Sequence, residues 1–202
     1  MLFDTATIQP SQIYPLLVGG IIPRPIAWVS TQNKTGLTNL APYSFFSVAS
    51  VNPPILTITN IAGADRLAKD TLGNLLKTGE CVINIVAMDQ LDDMNQSCAG
   101  YSPEHSEIDE IGIETVASSH VSPPGIKASP VRYECTLRET LTLSDKPAGG
   151  VLVLLDVVAI YVDDKVVFDG VIQADLLNTV GKLGGNGYCT VACDIELERP
   201  VL

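Results

Sequence analysis

A chain of 202 residues with 46% hydrophobic and 17% charged side chains has enough apolar material for one sizeable core, and too much for a disordered segment. Its formal charge of −11 excludes a broad basic face for nucleic acid, because phosphate contacts need clustered Lys and Arg. Five cysteines, an odd number without framework spacing, exclude a disulfide scaffold and point to a reducing cytoplasm.

The first residues, MLFDTATIQP, carry no basic region followed by an apolar run, so they do not read as a secretion signal. Residues 7–18 read as a short helix stopped by Gly19 and Gly20. Strand signals follow at 25–31, 37–41 and 54–59, with QNKTG at 32–36 as the first turn. In ADRLAKDTLGNLLKTGE, Asp65 reads as the N-cap of a helix over 66–77. Leu67, Leu72, Leu75 and Leu76 form its apolar face and Gly79 its C-cap. CVINIVAM at 81–88 reads as a strand, and DQLDDMNQSCA as a helix from Asp89 to Gln96. The stretch 99–130, with Pro103, Pro123, Pro124 and Pro130, reads as loop. Two long strands, 131–143 and 150–162, flank a hairpin loop containing DKPAGG. The second falls in the most apolar segment, 149–162, which Asp156 interrupts and which is too short for a membrane helix. A short strand at 165–168, a helical turn at 174–179 and a strand over 188–198 complete the series. Strands dominate and helices come singly, so βαβ alternation is absent. The expectation is one domain over 1–202, mainly β with a few helices, built as an antiparallel barrel.

Common catalytic patterns are missing: no G-x-x-x-x-G-K-[ST], H-E-x-x-H, C-x-x-C or G-x-S-x-G occurs. GGNGYC at 184–189 lacks the third glycine and the βαβ setting of a dinucleotide loop. His105 and His120 have no partners at metal spacing and read as surface residues. Cys189 and Cys193 on one strand would lie about 13 Å apart, too far for a disulfide. All five cysteines read as buried or half-buried apolar filler. Neither a catalytic side chain nor a metal site is expected.

The stretch IIPRPIAWVSTQNKTGLTNLAPYSFF at 21–46 is the informative one. On residue types alone two readings stay open. It is an edge strand that tolerates Pro23 and Pro25 and turns its hydroxyls to solvent. Alternatively it is a ligand surface, since Ser30, Thr31, Thr38, Asn39, Ser44 and Ser47 crowd one end of an otherwise apolar hairpin. The pattern returns at TITN and ADRLAKDT, where Thr59, Asn60, Arg66, Lys69 and Thr71 surround the start of the expected helix. A helix start with Lys and hydroxyls suits a phosphate, and an ordinary first turn is the other reading.

The blocks PRPIAWVST, G-x-x-NLAPYSFF, NPPILTITN, KDTLGNLLKTGECVINI, MNQSC, the EC of SPVRYEC, and VGKLGGNGYCT follow one another over nearly the whole chain. In this combination and order the sequence resembles the flavin reductase-like, FMN-binding split-barrel family. The resemblance implies a Greek-key split β-barrel, a homodimer, non-covalent FMN, and NADH or NADPH as co-substrate. Direct hydride transfer from nicotinamide to flavin is the leading implied activity. A flavoredoxin-like carrier serving an electron-acceptor protein, or a non-catalytic FMN-binding protein, is the alternative.

Carried over position by position, Arg24, Pro25 and Ala27 belong to the strand along the isoalloxazine edge, with Ala27 and Ala41 small enough to admit a flat ring. Ser30, Thr31, Asn39, Tyr43, Ser44 and Phe45 match the flavin-contact block, with Thr59 and Asn60 beyond it. Lys69, Asp70 and Thr71 match the phosphate end, with Arg66 beside them. Gly184 and Tyr188 match a C-terminal block near the flavin. Lys182 stands where relatives often carry Arg, and an ammonium does not reproduce the guanidinium fork.

Overall fold

The computed structural model describes residues 1–61 and 70–201. Helix α1 (Pro10–Gly20) begins at a proline, whose missing N–H is harmless in a first turn. Strands β1 (Arg24–Pro25), β2 (Ala27–Gln32), β3 (Thr38–Tyr43), β4 (Phe46–Val51) and β5 (Pro54–Ile61) follow, then α2 (Asp70–Thr78) and β6 (Glu80–Ile85). A 3-10 turn, Met88–Gln90, runs into α3 (Leu91–Gln96). Next come α4 (Glu107–Ile111), β7 (Thr115–Val116), β8 (Gly125–Ile126), β9 (Val131–Thr142) and β10 (Gly150–Val162). A second 3-10 turn, Asp164–Val166, leads to β11 (Val167–Phe168), β12 (Val171–Ile172), α5 (Ala174–Leu177), β13 (Val180–Lys182) and β14 (Tyr188–Thr190).

Seven strands form one antiparallel sheet in the order β3-β2-β6-β9-β10-β5-β4. Strands β3 and β4 are joined only by Ser44 and Phe45, yet occupy opposite edges. The sheet therefore rolls up until those edges meet. Phe45 carbonyl accepts from Thr59 N–H at 2.9 Å, and the Tyr43 hydroxyl reaches Asn60 Oδ1 at 3.5 Å across the seam. β3 and β5 do not pair along their length. The result is the expected mainly β, Greek-key split barrel.

Side-chain alternation along β2 feeds two cores. Ala27 and Val29 point inward with Tyr43, Ile58, Leu75 and Leu155. Trp28 points outward to Leu40, Met94, Ile108 and Val180 under the helices and loops. β2 is thus an interior strand covered on both faces, and its hydroxyls are not turned to solvent. Helix α2 plugs the inner core with Leu72 and Leu75, while Leu76 lies on its exposed flank rather than on the expected apolar face. Gly79 (φ +76°) ends it by donating to the Leu75 carbonyl at 2.8 Å. The expected helix start, with Asp65 and Leu67, lies outside the described residues.

Three further departures have physical causes. β4 and α4 were not expected: β4 is a short edge strand of FSVASV, and α4 is too short for a helical period to show. The expected strand over 188–198 stops at Thr190, because β14 has only three-residue β13 to pair with. Cys81 and Cys135 are buried opposite each other on β6 and β9 and Cys189 is half-buried, but Cys98 and Cys193 are exposed and fill nothing. Among the described residues no helix is long and apolar enough to cross a membrane.

Candidate functional site

As an edge strand, β3 bonds β2 on one side only. Pro42 sits where an edge strand can spare an N–H. Two residues earlier, the Leu40 N–H donates to Glu107 Oε2 at 2.8 Å, and the Thr38 and Ser106 hydroxyls meet at 2.6 Å. These bonds hang α4 and its preceding loop on the open edge. Farther back, the same loop is fastened where Trp28 Nε1 donates to Ser97 Oγ at 2.9 Å.

Between β3, the start of α2 and this loop lies a cleft of about 310 Å³, lined by Asn39, Ala41, Pro42, Asp70, Thr71, Ser97 to Tyr101, and Glu107. Past Pro42 a second hollow of about 260 Å³ is lined by Tyr14, Tyr43, Ser44, Phe45, Thr59 and Ile61. Past Asn39 and Asp70 a third, of about 200 Å³, reaches Asn74, Lys77 and His105. Together they make a groove that follows β3 from end to end.

Neutral polar groups dominate its wall. Asn39 Nδ2 donates to Thr71 Oγ1 at 3.0 Å, and Thr71 also bonds the Tyr43 phenol. Burial pushes that phenol far above its ordinary pKa, Thr71 partly offsetting and Asp70 adding to the effect, so Tyr43 stays protonated. Asn60 is 1% exposed and accepts from Tyr43, but its amide nitrogen has no partner among the described residues. Glu107 and Asp70 bring carboxyl groups to the cleft, and Glu107 is buried. Burial raises its carboxyl above the usual range; the Leu40 N–H opposes this and Asp70 reinforces it.

The structure brings Asn39, Ala41, Tyr43, Ser44, Phe45, Thr59, Asp70 and Thr71 together along the groove, while Asn60, on the opposite face of β5 from Thr59, is buried behind it. It places Ser30, Thr31 and Ala27 one strand behind, fully buried. Ser30 Oγ donates to the Pro124 carbonyl at 2.6 Å, and Thr31 Oγ1 accepts from Asn74 at 3.1 Å. A second group gathers on the small sheet of β1, β13 and β14. Arg24, 5% exposed, donates to the carbonyls of Val18, Ile21 and Leu183, and to Ser44 Oγ at 3.3 Å, which links the two groups. Pro25 is exposed beside it. Lys182 donates to the carbonyls of Gly185 (2.6 Å) and Gly187 (3.3 Å) and lies 4.1 Å over the Tyr188 ring, beyond exposed Gly184. Partial burial, then the charge of Arg24, lowers its pKa. Arg66 and Lys69 lie outside the described residues. Sequence reading missed Tyr14, Pro42, the loop from Ser97 to Tyr101, and Glu107. The only local signal for Glu107 was the N-cap serine before it, whose Oγ accepts from Asp109 N–H at 3.4 Å.

A flat, polar-edged heteroaromatic ligand fits this wall. Ala41, Pro42 and Phe45 offer low apolar surface for a ring. Asn39, Ser44, Thr59 and Thr71 offer donors and acceptors for its edge and side chain. These are the demands of a flavin. Comparison with known proteins agrees. An uncharacterized protein of Bacillus subtilis, YwrF, is 35% identical over 204 residues, covering 98% of both chains. The crystal structure of nitrilotriacetate monooxygenase component B from Bacillus cereus superposes with a TM-score of 0.92 at 30% identity, covering 98% of each chain. That of 2-nitrobenzoate 2-nitroreductase NbaA from Pseudomonas fluorescens gives 0.89 at 28%, covering 99% of this chain and 96% of the other. The sequence profile of the flavin reductase like domain matches residues 19–179, from the last turn of α1 to the threshold of β13, and the chain belongs to that family.

Proposed function

We propose that the protein binds FMN non-covalently in the groove along β3 and reduces it with NADH or NADPH. The family is one of flavin-related oxidoreductases. The observation that carries the reading is the open β3 edge, where Asn39, Ser44, Thr59 and Thr71 border a shallow wall of Ala41 and Pro42. A bound flavin supplies the hydride-accepting ring. The chain's own residues orient, bind and exclude water. Asn39 and Thr71 hold each other in place on one wall. Phe45 and Pro42 present apolar surface that keeps water from the reacting face. Tyr43 keeps its proton and, donating it to Asn60 Oδ1, braces the seam behind the groove. Lys69 and Thr71, with Arg66, form the proposed phosphate end. Contact between two rings needs no side-chain acid or base, and positioning supplies the rate. A homodimer with the groove near its interface completes the proposal, supported by exposed apolar residues on β4 and β10.

The test has two parts. Titration should show equimolar FMN bound more tightly than riboflavin, because charge-assisted contacts to a phosphate contribute roughly 1.5–3 kcal/mol each. Lys69→Ala should weaken FMN more than riboflavin. Equal affinity for both flavins would remove the phosphate end. Anaerobic addition of NADH or NADPH should bleach the bound flavin promptly. Bleaching only by a reduced carrier protein would replace the nicotinamide reading with that of an electron carrier.

A further inference from the structure

We propose that Glu107 is a positioning residue for the flavin groove: by accepting the Leu40 N–H it fixes the free edge of β3, and with it Asn39 and Ala41 on the groove wall. This rests on the reading of the groove as the flavin site. Leu40 is 0% exposed, so its outward amide finds no water, and the next outward position on the strand, Pro42, has no N–H. The amide donates to Glu107 at 2.8 Å. Glu107 reaches it from α4, 67 residues away in sequence, and is itself 7% exposed. Among the described residues its carboxylate forms no ion pair with a Lys or Arg, and lies instead with Asp70 of α2 across the same cleft. The other titratable groups around it are Cys98 and Tyr101 on the cleft loop, Asp109 on α4, and the exposed His105–Glu110 pair. A carboxylate placed only for stability has no need of a cleft wall or of an acidic neighbour. This one spans from the wall to the strand that carries the contact residues.

The clamp works by reach and acceptance, and the variants separate these from charge. Glu107→Gln keeps an acceptor oxygen at the same reach without charge, whereas Glu107→Asp keeps the charge and loses a methylene of reach. Glu107→Ala loses both. FMN and riboflavin affinities are measured by titration well below the unfolding temperature, with amide exchange of Leu40 followed in the flavin-free protein. Glu107→Gln should bind both flavins like the wild type. Glu107→Asp and Glu107→Ala should bind both more weakly by about tenfold, the upper range for one hydrogen bond, and exchange Leu40 faster. If Glu107→Ala does not fold, the Asp and Gln pair decides. Equal flavin affinity in folded wild type and all variants would overturn the proposal and leave the groove reading intact. So would Gln weak and Asp normal, which makes charge the operative property. A wild type that binds no flavin would overturn the groove reading together with this proposal.

Discussion

Glu107 illustrates how one buried charge shapes pH behaviour. Its folded carboxyl titrates above the reference value of 4.5, burial being the largest cause. The folded state therefore holds a proton that the unfolded state has released, between the reference value and the raised one. Stability from this group is greatest below that window, and falls as pH rises through it. Glu107→Gln removes the titration while retaining an acceptor for Leu40. Denaturant unfolding across mildly acidic to neutral pH should show a shallower loss of stability for Glu107→Gln than for the wild type, with the variant at least as stable at neutral pH. Parallel curves for the two proteins would show that Glu107 titrates normally.

At the scale of elements, the small sheet of β1, β13 and β14 docks through a close approach at Gly181. A Cβ there would lie 2.6 Å from Pro23 Cβ and 3.1 Å from Cys189 Sγ. Gly181→Ala should cost about 1–3 kcal/mol, the usual range for overpacking. Amide exchange should speed up in β13 and β14 while β6 and β9 keep their protection; uniform acceleration would mean that the small sheet and the barrel open together. Legibility in the sequence followed element length and neighbourhood. β9 and β10 were readable because long apolar runs have room for a pattern, and α2 because Leu72, Leu75 and Gly79 mark its face and end. β4 mixes serine, alanine and valine without a period-two alternation, and α4 offers five residues between Pro103 and Gly112. The site was half legible. Asn39, Ser44 and Thr71 stood in recognisable blocks, and the structure gathers them. Ser30 and Thr31 look identical in type, but the strand order puts them behind the groove wall. Glu107 was invisible, because its partner is fixed by the rolling of the sheet and not by spacing along the chain.

For the molecule as a whole, charge and exposed apolar surface pull in opposite directions. Val48 and Val51 on edge strand β4 are 64% and 84% exposed, and Ile160 on β10 is 58% exposed. An edge strand with apolar side chains is a pairing surface, and a second copy is the proposed cover. Each copy brings a charge of −11, so association should tighten as salt screens the repulsion. Sedimentation at micromolar concentration should show a dimer that strengthens with ionic strength, and Val51→Lys should shift it toward monomer. A wild-type monomer with flavin fully bound would contradict the assembly. Arg24 has a separate consequence, in the order of synthesis. Its guanidinium joins Val18, Ile21 and Ser44, its near neighbours in sequence, to Leu183, made 159 residues after Arg24. Every strand of the seven-stranded sheet leaves the ribosome before Leu183 does. The barrel is therefore free to close first, around an arginine still missing one of its carbonyls. The segment that carries Leu183 then completes the socket and ties β13 to α1 and β1.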